Sequence, residues 1–409
     1  MKKNQTKTNW SRLLWWSHAV GVASFYTFLW LRTRPKQMSR LAVSSARKDS
    51  LPRVSVIVPA RNEEEAIQRC VTSLLEQTYP EYEVIVVDDA STDCTALILD
   101  EIARAHPQGA RLRIVHLSEL PEGWAGKPHA LHTGVQEAYG EFLLFTDADT
   151  WHAPQALSAA VLRAEERRLD LLSLGTTQEL PSFWERVMMP MAHLGISMQY
   201  PINQVNDPRS PIALANGQYI LLRRSVYDRL GGYARPDLRA TLLDDRDLAV
   251  LVKKRGYALE LADGRGLVRV RMYRNLGEIW RGWRKNVFLG SRGGLPFVLL
   301  QLPGLLMVAV LPFLLPLWLW LARLAGKKQK LNASETASIS ALELGPLLAY
   351  RRWLDKELQV PWYISFTHPL AALLFTGILA QSTWRLLTGK GVDWSGRNYF
   401  QKRGAKYVR

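Results

Sequence analysis

Short apolar runs that alternate with amphipathic stretches between residues 50 and 270 constrain the fold of this chain most strongly. Runs rich in Val, Ile and Leu predict strands at 53–58, 83–87, 111–116 and 141–146. Between them, apolar residues at helical spacing predict helices at 64–77, 94–105 and 127–139. Strands that alternate with helices form a doubly wound sheet whose ligand sites lie at the carboxyl ends of its strands. The sequence therefore predicts an α/β domain with a mixed or parallel sheet at residues 50–290.

Three apolar stretches without charged residues flank this domain, at 13–31, 295–321 and 358–384. Each approaches or exceeds the roughly 20 residues that cross a bilayer as a helix. The first is long and Trp-rich, and no small-residue cleavage site follows it, so we interpret residues 1–49 as a retained anchor with a basic linker. A buried or interfacial helix is the alternative. Residues 291–409 are expected to form a membrane region, with a polar linker at 327–340 and a weak further span at 338–350.

The formal net charge of +16 is concentrated beside these apolar stretches. Basic residues next to spans favour the cytoplasmic side, which predicts a multi-pass protein of the cell membrane with a cytoplasmic catalytic domain. No basic element with base-reading or stacking residues is present, which argues against a nucleic-acid partner. The two cysteines lack metal-ligand spacing and are expected to be reduced thiols. The number of C-terminal spans stays open.

Two acids one residue apart, Asp147 and Asp149, end the apolar run at 141–146. Carboxylate oxygens suit Mg²⁺ or Mn²⁺, and such an ion usually carries a phosphate. The pair therefore predicts a metal site at a strand end. A solvated turn is the alternative for this segment taken alone.

Further polar motifs follow the first two predicted strands, and another lies at the start of the predicted helix at 127–139. Residues 58–64 and 86–93 place acids where they can accept hydrogen bonds from a base or from ribose, and Arg61 can counter phosphate charge. Ser91 and Asp93 are also good helix caps, which is the alternative. Lys127 follows Gly126 at a helix start, where an anion is favoured, although a solvated loop lysine would look the same.

A second cluster lies downstream. Asn216 and Gly217 precede an apolar run, and Asp244 and Asp245 lead an amphipathic helix. A buried carboxylate near a partner charge can act as a general base, which is the role we expect for Asp245. Both acids would also suit the helix dipole. The aromatic-basic segment at 280–286 is either functional or an interfacial belt.

Together these motifs resemble glycosyltransferase family 2 with the GT-A fold. The resemblance covers residues 50–290 and rests on the ordered segments 58–64, 86–93, 126–131, 146–149, 215–218 and 244–248. The segments 205–211, 271–274 and 392–397 look like the membrane-bound members associated with carotenoids and hopanoids.

The resemblance implies roles for single residues. Asp88 or Asp89 would hold the uridine, with Pro59, Arg61 and Glu63 lining the base and ribose. Asp147 and Asp149 would bind the diphosphate through Mg²⁺ or Mn²⁺, with Lys127 on the same side. Asp245 would be the base of an inverting transfer. The acceptor side would comprise Asn216, Gly217, Asp244 and Trp283.

Two departures from the family pattern refine the expected function. Asp244–Asp245 replaces the usual Glu-Asp pair, and of the Gln-x-x-Arg-Trp motif of processive synthases only Trp283 remains. The loss of that motif favours transfer of a single sugar. The resemblance implies a membrane-anchored hexosyltransferase that moves this sugar from a nucleotide-sugar, of the UDP type, to a hydroxyl of a polyprenoid lipid such as a carotenoid or hopanoid. A processive polysaccharide synthase and a catalytically silent membrane scaffold are the alternatives. The Met-rich stretch 183–200 is either a membrane-lying helix that admits the lipid or ordinary core packing.

Overall fold

A computed structural model describes residues 3–33, 38–41, 51–289, 294–326, 331–394 and 397–399. The chain divides into two compact units. The sheet unit comprises the described residues within 35–179 and 202–272, and the helical unit comprises those within 1–34, 180–201 and 273–409. Most of the basic residues that follow the first apolar stretch, and those of the C-terminal tail beyond 399, lie outside the described residues.

The α-helices, in chain order, are α1 (Lys3–Thr33), α2 (Ile67–Leu75), α3 (Thr95–Ala105), α4 (Gly126–Gln136), α5 (Ala156–Glu166), α6 (Phe183–Gln199), α7 (Ile202–Val205), α8 (Arg224–Leu230), α9 (Asp244–Lys254), α10 (Leu276–Leu289), α11 (Gly294–Leu305), α12 (Leu311–Leu324), α13 (Ala333–Glu357) and α14 (His368–Leu387). Short 3₁₀ helices lie at Gly109–Arg111, Gly232–Ala234 and Trp362–Thr367, and a π-helical segment at Leu306–Val310 joins α11 to α12.

The strands are β1 (Val54–Ala60), β2 (Tyr82–Asp89), β3 (Leu112–Leu117), β4 (Phe142–Phe145), β5 (Thr150–His152), β6 (Leu171–Gly175), β7 (Thr177–Gln178), β8 (Ile220–Arg223), β9 (Leu259–Asp263), β10 (Val268–Val270), β11 (Val392–Trp394) and β12 (Arg397–Tyr399). The predicted strands and the predicted helices at 64–77, 94–105 and 127–139 are present, with ends shifted by a few residues.

A seven-stranded sheet in the order β3-β2-β1-β4-β8-β6-β9 forms the centre of the sheet unit. β8 runs antiparallel to both of its neighbours, β4 and β6, whereas the other adjacent pairs are parallel. The α/β prediction is confirmed, and the sheet is mixed. The reversal at β8 was not predictable from the apolar run at 219–222, because that run looks the same in either direction.

The buried strands fix the positions of the acidic loops. Along β1, Val56 and Val58 pack on one face of the sheet with α2, α3 and α5, and Ile57 packs on the other with α4, α8 and α9. A strand covered on both faces reads as a continuous apolar run. In the parallel register Ala60 lies beside Asp88, and Asp88 beside His116. The polar ends of β1 and β2 therefore meet at one edge, as predicted, and the end of β3 joins them there.

The helical unit contains two helical stretches that are long and apolar enough to cross a membrane, Gly294–Leu324 and Trp362–Arg385, within the residues described. They match the predicted C-terminal spans in length and composition. The helix α1 is not among them, so the N-terminal anchor stays a prediction. The weak span considered at 338–350 is part of α13 and is also not among them.

Two features of the helical unit differ from expectation. The linker predicted at 327–340 is wrong from residue 333 onward, because α13 begins there; its described part opens with a capping box in which Asn332 and Glu335 exchange hydrogen bonds of 2.8 and 3.0 Å. In α6, Met188 and Met191 are 0% and 4% exposed. Core packing is therefore the role of these methionines.

Candidate active site

The loops after β1 and β2 are joined by hydrogen bonds between their backbones and side chains. Arg61 donates from its guanidinium to the carbonyls of Asp89 and Ala90, the latter at 3.0 Å. The backbone N–H of Asn62 donates to Ser91 Oγ at 3.0 Å, and Asn62 Oδ1 accepts from the backbone of Thr92 at 2.8 Å. The two predicted nucleotide-side motifs thus form one structure.

Ser91 and Asp93 were both considered as helix caps, and the capping alternative holds for Asp93 only. Asp93 accepts from the backbone N–H of Thr95 at 3.0 Å and of Glu64 at 3.2 Å, so it organises the start of α3 and the neighbouring loop. Ser91 accepts from Asn62 and not from α3. Capping therefore explains Asp93, and loop-to-loop contact explains Ser91.

Asp88 is buried at the end of β2, and both of its oxygens are engaged within the protein. Oδ1 accepts from the backbone of Ser91 at 3.1 Å, and Oδ2 lies 3.0 Å from Nδ1 of His116 at the end of β3. Sequence reasoning missed His116, although its place at the end of a predicted strand was the available signal. Asp89, also 4% exposed, is the neighbouring acid.

Lys127 lies in the first turn of α4 between two acids from different elements. Its Nζ is 2.7 Å from Asp147 Oδ1, after β4, and 3.3 Å from Asp244 Oδ2, at the start of α9. Burial alone lowers the pKa of Lys127, but the carboxylates of Asp147, Asp244 and Asp245 outweigh it and raise the pKa above its ordinary value. Lys127, which is predicted to face an anion, therefore links the predicted metal site at Asp147 to the predicted acceptor side at Asp244.

Gly217 lies where these groups meet. Its backbone N–H donates to Asp245 Oδ2 at 3.1 Å, and the backbone N–H of Arg246 donates to Oδ1 at 2.7 Å. A Cβ at residue 217 would lie 3.1 Å from Lys127 Nζ and 3.3 Å from Asp245 Oδ2. Glycine at this position therefore lets the ammonium and the expected base approach each other, and two backbone donors orient the Asp245 carboxylate.

The side chain of Asn216 holds the same loop. Its amide nitrogen donates to the carbonyl of Leu174 at 2.9 Å and lies 3.1 Å from Gln218 Oε1. The predicted acceptor role of Asn216 is not tested by these contacts, which fix the backbone that carries Gly217.

Asp149, the second acid of the predicted metal pair, lies close to other acidic side chains. Its Oδ1 is buried and has no hydrogen-bond partner among the described residues. Burial, together with the charges of Asp147 and Glu63, raises the pKa of Asp149 well above its usual range, and Lys127 acts in the opposite direction. A buried carboxylate oxygen without a partner is costly, and a metal ion would satisfy it.

The protein alone does not supply a full coordination shell. Within the described ranges, no group of three or more Asp, Glu, His or Cys side chains is arranged to hold a metal ion. Hard cations of this kind take about six oxygen ligands. Asp147 and Asp149 fit a divalent metal only if the remaining oxygens come from a ligand or from water.

Glu63, Pro59 and Trp283 are the remaining predicted site residues. Glu63 belongs to the β1 loop, where its backbone donates to Thr95 Oγ1 at 2.8 Å, and Pro59 is half-buried at the end of β1. Trp283 lies on α10 of the helical unit, where it is buried with its ring centroid 5.8 Å from that of Phe375. Its predicted acceptor role stays a prediction.

Sequence reasoning also missed Tyr233. The residue is 0% exposed, and its phenol oxygen has no hydrogen-bond partner among the described residues. Burial raises the pKa of Tyr233, and the charge of Asp244 adds to that shift. Its surroundings are otherwise aromatic, with Phe145 and Tyr227 at 5.7 and 6.0 Å between ring centroids.

Comparison with known proteins identifies the sheet unit. Residues 55–231 match the model of glycosyl transferase family 2. A 4,4'-diaponeurosporenoate glycosyltransferase of Staphylococcus aureus (strain USA300) is 26% identical over 374 residues, covering 85% of this chain and 88% of that protein. The protein of the same name from strain MRSA252 is 27% identical over 375 residues.

A solved structure shares the fold. It is the mannosyltransferase PcManGT from Pyrobaculum calidifontis in complex with GDP-Man and Mn²⁺, which is 20% identical, with a TM-score of 0.50 over 92% of this chain and 97% of that one. The family match contains Asp88, Lys127 and Asp149 but ends before Asp244. The segment 55–231 therefore carries a glycosyl transferase family 2 domain, the fold is shared with the solved structure, and the roles of single residues stay predictions.

Proposed function

Because the chain is a glycosyltransferase with a family 2 domain, we propose that it moves one sugar, with inversion, from a UDP-linked donor to a polyprenoid lipid at the membrane. One observation carries the proposal. Lys127 joins Asp147, on the expected sugar-donor side, to Asp244, which adjoins the expected base Asp245. One carboxylate from each expected half of the site, Asp147 and Asp244, therefore lies within 3.3 Å of the same ammonium group.

On the sugar-donor side, Asp88 or Asp89 would bind the uridine. Both oxygens of Asp88 already accept hydrogen bonds from the loop and from His116. Arg61 shapes the same loop through carbonyl contacts, and Pro59 and Glu63 would line the base and ribose. The GDP-Man in the Pyrobaculum structure supports a nucleotide-sugar donor for this fold, whereas the choice of UDP rests on the family resemblance.

Asp147 and Asp149 would hold Mg²⁺ or Mn²⁺ together with the diphosphate of the sugar donor. The ion, when bound, supplies positive charge against the charge that builds on the leaving diphosphate. The buried Oδ1 of Asp149, which has no hydrogen-bond partner in the part of the chain that the structure describes, supports this assignment, as does the Mn²⁺ in the Pyrobaculum structure. Lys127 contributes a second positive charge from the start of α4.

Asp245 would act as the general base. It accepts the proton of the acceptor hydroxyl while the oxygen bonds to the anomeric carbon and the bond from that carbon to the diphosphate breaks. A single displacement of this kind inverts the anomeric centre. The hydrogen bonds from Gly217 and Arg246 fix the carboxylate, and each oxygen keeps a lone pair for the incoming hydroxyl.

A lipid acceptor accounts for the helical unit. Two helical stretches have the length and composition to enter a bilayer, and the Staphylococcus relatives are named for a carotenoid-type carboxylate. A lipid alcohol and a lipid acid make different demands, because a carboxylate acceptor is already ionised and needs no base. The choice of an alcohol rests on the base role proposed for Asp245, whose carboxylate is oriented by two backbone donors.

The test is a transfer assay with the full chain in detergent, UDP-glucose and Mn²⁺, offered a polyprenoid alcohol, a polyprenoid acid or free glucose. The proposal expects metal-dependent transfer of one sugar to the alcohol. Transfer to the acid alone would show that the acceptor is a lipid acid and not a lipid alcohol. Formation of long polymer would favour a processive synthase. A silent scaffold would show neither transfer nor metal-dependent hydrolysis of the sugar donor.

A further inference from the structure

Lys127 is surrounded by more negative charge than one ammonium group balances. Asp147 and Asp244 contact its Nζ directly, and Asp245 lies across Gly217 from it. The Lys127 and Asp147 side chains are each 30% exposed, so solvent screens the contacts only in part. The ammonium is therefore the resident cation of this acidic cluster when no sugar donor is bound.

We propose that Lys127 keeps a divalent metal off Asp147 until the diphosphate of the sugar donor arrives. This inference rests on the proposed function, in which Asp147 and Asp149 share a metal with that diphosphate. Lys127 is a positioning residue in this account: it controls when the metal ligand becomes available.

The contact distances explain the exclusion. Lys127 Nζ lies 2.7 Å from Asp147 Oδ1, and a Mg²⁺ that bound this oxygen would approach it to about 2.1 Å. Two cations cannot share that lone-pair region without strong repulsion, so the metal has to displace the ammonium. Without the sugar donor it would gain few ligands in return, since no complete site exists among the described side chains.

The diphosphate changes this balance. It brings oxygen ligands for the metal and negative charge for the ammonium, so both cations gain a partner at once. Asp244, 3.3 Å from Nζ, offers Lys127 a second contact as it leaves Asp147. Metal and sugar donor are therefore expected to bind together.

Lys127→Met tests the inference directly, because it keeps an unbranched side chain and removes the charge. With full-length protein in detergent and no sugar donor, Mn²⁺ binding is measured by electron paramagnetic resonance of the free ion. The Met variant should bind Mn²⁺ at least about tenfold more tightly than wild type, since a charge in direct contact with a ligand oxygen is gone. Adding Asp149→Asn to that variant should remove the gain.

Two further variants support this test. One shifts the Lys127 ammonium group without removing its charge, and the other is a matched control. In Gly217→Ala the new methyl group would lie 3.1 Å from Nζ and 3.3 Å from Asp245 Oδ2, so it crowds the ammonium, which has to shift by a few tenths of an ångström, without removing its charge. This variant should also gain affinity for Mn²⁺, by a smaller factor. Lys254→Met removes an exposed lysine of the same unit, at the end of α9, and should leave Mn²⁺ binding unchanged.

The inference is overturned if Lys127→Met binds Mn²⁺ no more tightly than wild type, or if Lys254→Met gains as much. Should Lys127→Met fail to fold, Gly217→Ala decides in the same way. Sugar transfer by the wild type is measured in parallel. Wild type that transfers no sugar refutes the proposed function, whereas the Mn²⁺ measurements without sugar donor judge Lys127 independently.

Discussion

At the scale of single residues, Asp149 gives the clearest test of the metal site. Replacing it by Ala removes a buried carboxylate whose Oδ1 has no partner among the described residues. We expect turnover to be lost and the affinity for the sugar donor in the presence of Mn²⁺ to fall. Calorimetric titration of UDP-glucose with and without Mn²⁺ measures this, and metal-dependent affinity equal to that of wild type would remove Asp149 from the metal site.

Asp245→Asn tests the base. Asn has one acceptor oxygen, so it keeps only one of the hydrogen bonds from Gly217 and Arg246 and cannot take a proton. Transfer to a lipid alcohol should fall by about 10²–10⁴, the usual loss when a general base is removed, while affinity for the sugar donor stays close to wild type.

A matched control for that variant is Asp228→Asn, at an exposed acid of α8 away from the site. It should transfer sugar at the wild-type rate. Near-normal transfer by Asp245→Asn would instead move the base to Asp244 or Asp247.

Most of the residues in the cluster could be predicted from the sequence because they follow strands or begin helices. Asp147, Asp149, Lys127 and Asp245 all do so. What could not be predicted was their pairing: Lys127 was expected to face phosphate, and it contacts two carboxylates. His116 and Tyr233 were missed because a single polar residue at a strand end or in an aromatic core has no motif of its own.

At the scale of elements, the short strand β5 makes the sheet unit sensitive to acid. Burial lowers the pKa of His152 to about 3, and its Nε2 lies 2.9 Å from Thr150 Oγ1 and 3.1 Å from Thr146 Oγ1. In the unfolded chain the His152 imidazole binds a proton near pH 6.5, whereas in the folded chain it stays neutral until the pH is close to 3. This contribution to stability is therefore complete above pH 6.5 and is lost as the pH falls from there toward 3.

The free energy of unfolding should accordingly decline on the acid side by up to about 1.4 kcal/mol per pH unit from this group. Urea unfolding of wild type and His152→Gln between pH 4 and 7 measures it. The variant should be less stable at pH 7 and should have the shallower pH dependence. Equal slopes for the two proteins would show that His152 does not carry the effect.

The helix α6 shows where sequence patterns were ambiguous. A Met-rich stretch suits a lipid-facing surface and a protein core equally, and only tertiary packing decides. Met188→Asp would bury an unpaired charge, so we expect loss of the folded helical unit and not a selective defect in acceptor use. Ile196→Asp, at a site on the same helix that is 37% exposed, should be tolerated far better.

Thermal unfolding in detergent compares the two α6 variants. A Met188→Asp protein as stable as Ile196→Asp would contradict the burial of this face.

The start of α13, in contrast, could have been predicted from the sequence. The Asn332–Glu335 capping box is a recognisable helix start, but the polar composition around it favours a linker.

At the scale of the whole molecule, the sheet unit supplies a family 2 glycosyltransferase domain and the helical unit supplies two stretches apolar enough for a bilayer. Ordered motifs predicted the first part, and length and composition predicted the second. The proposed lipid acceptor would have to reach the cluster around Asp245, and no motif in the sequence specifies which lipid it is. The central claim is therefore best tested on the product.

The most direct measurement is mass spectrometry of the lipids made when the full chain is expressed in a host that produces carotenoids or hopanoids, beside the Asp245→Asn variant. We predict a new polyprenoid lipid whose mass is increased by one hexose, present with wild type and nearly absent with the variant. A soluble or polymeric sugar product, or a lipid glycoside formed equally by both proteins, would contradict the account.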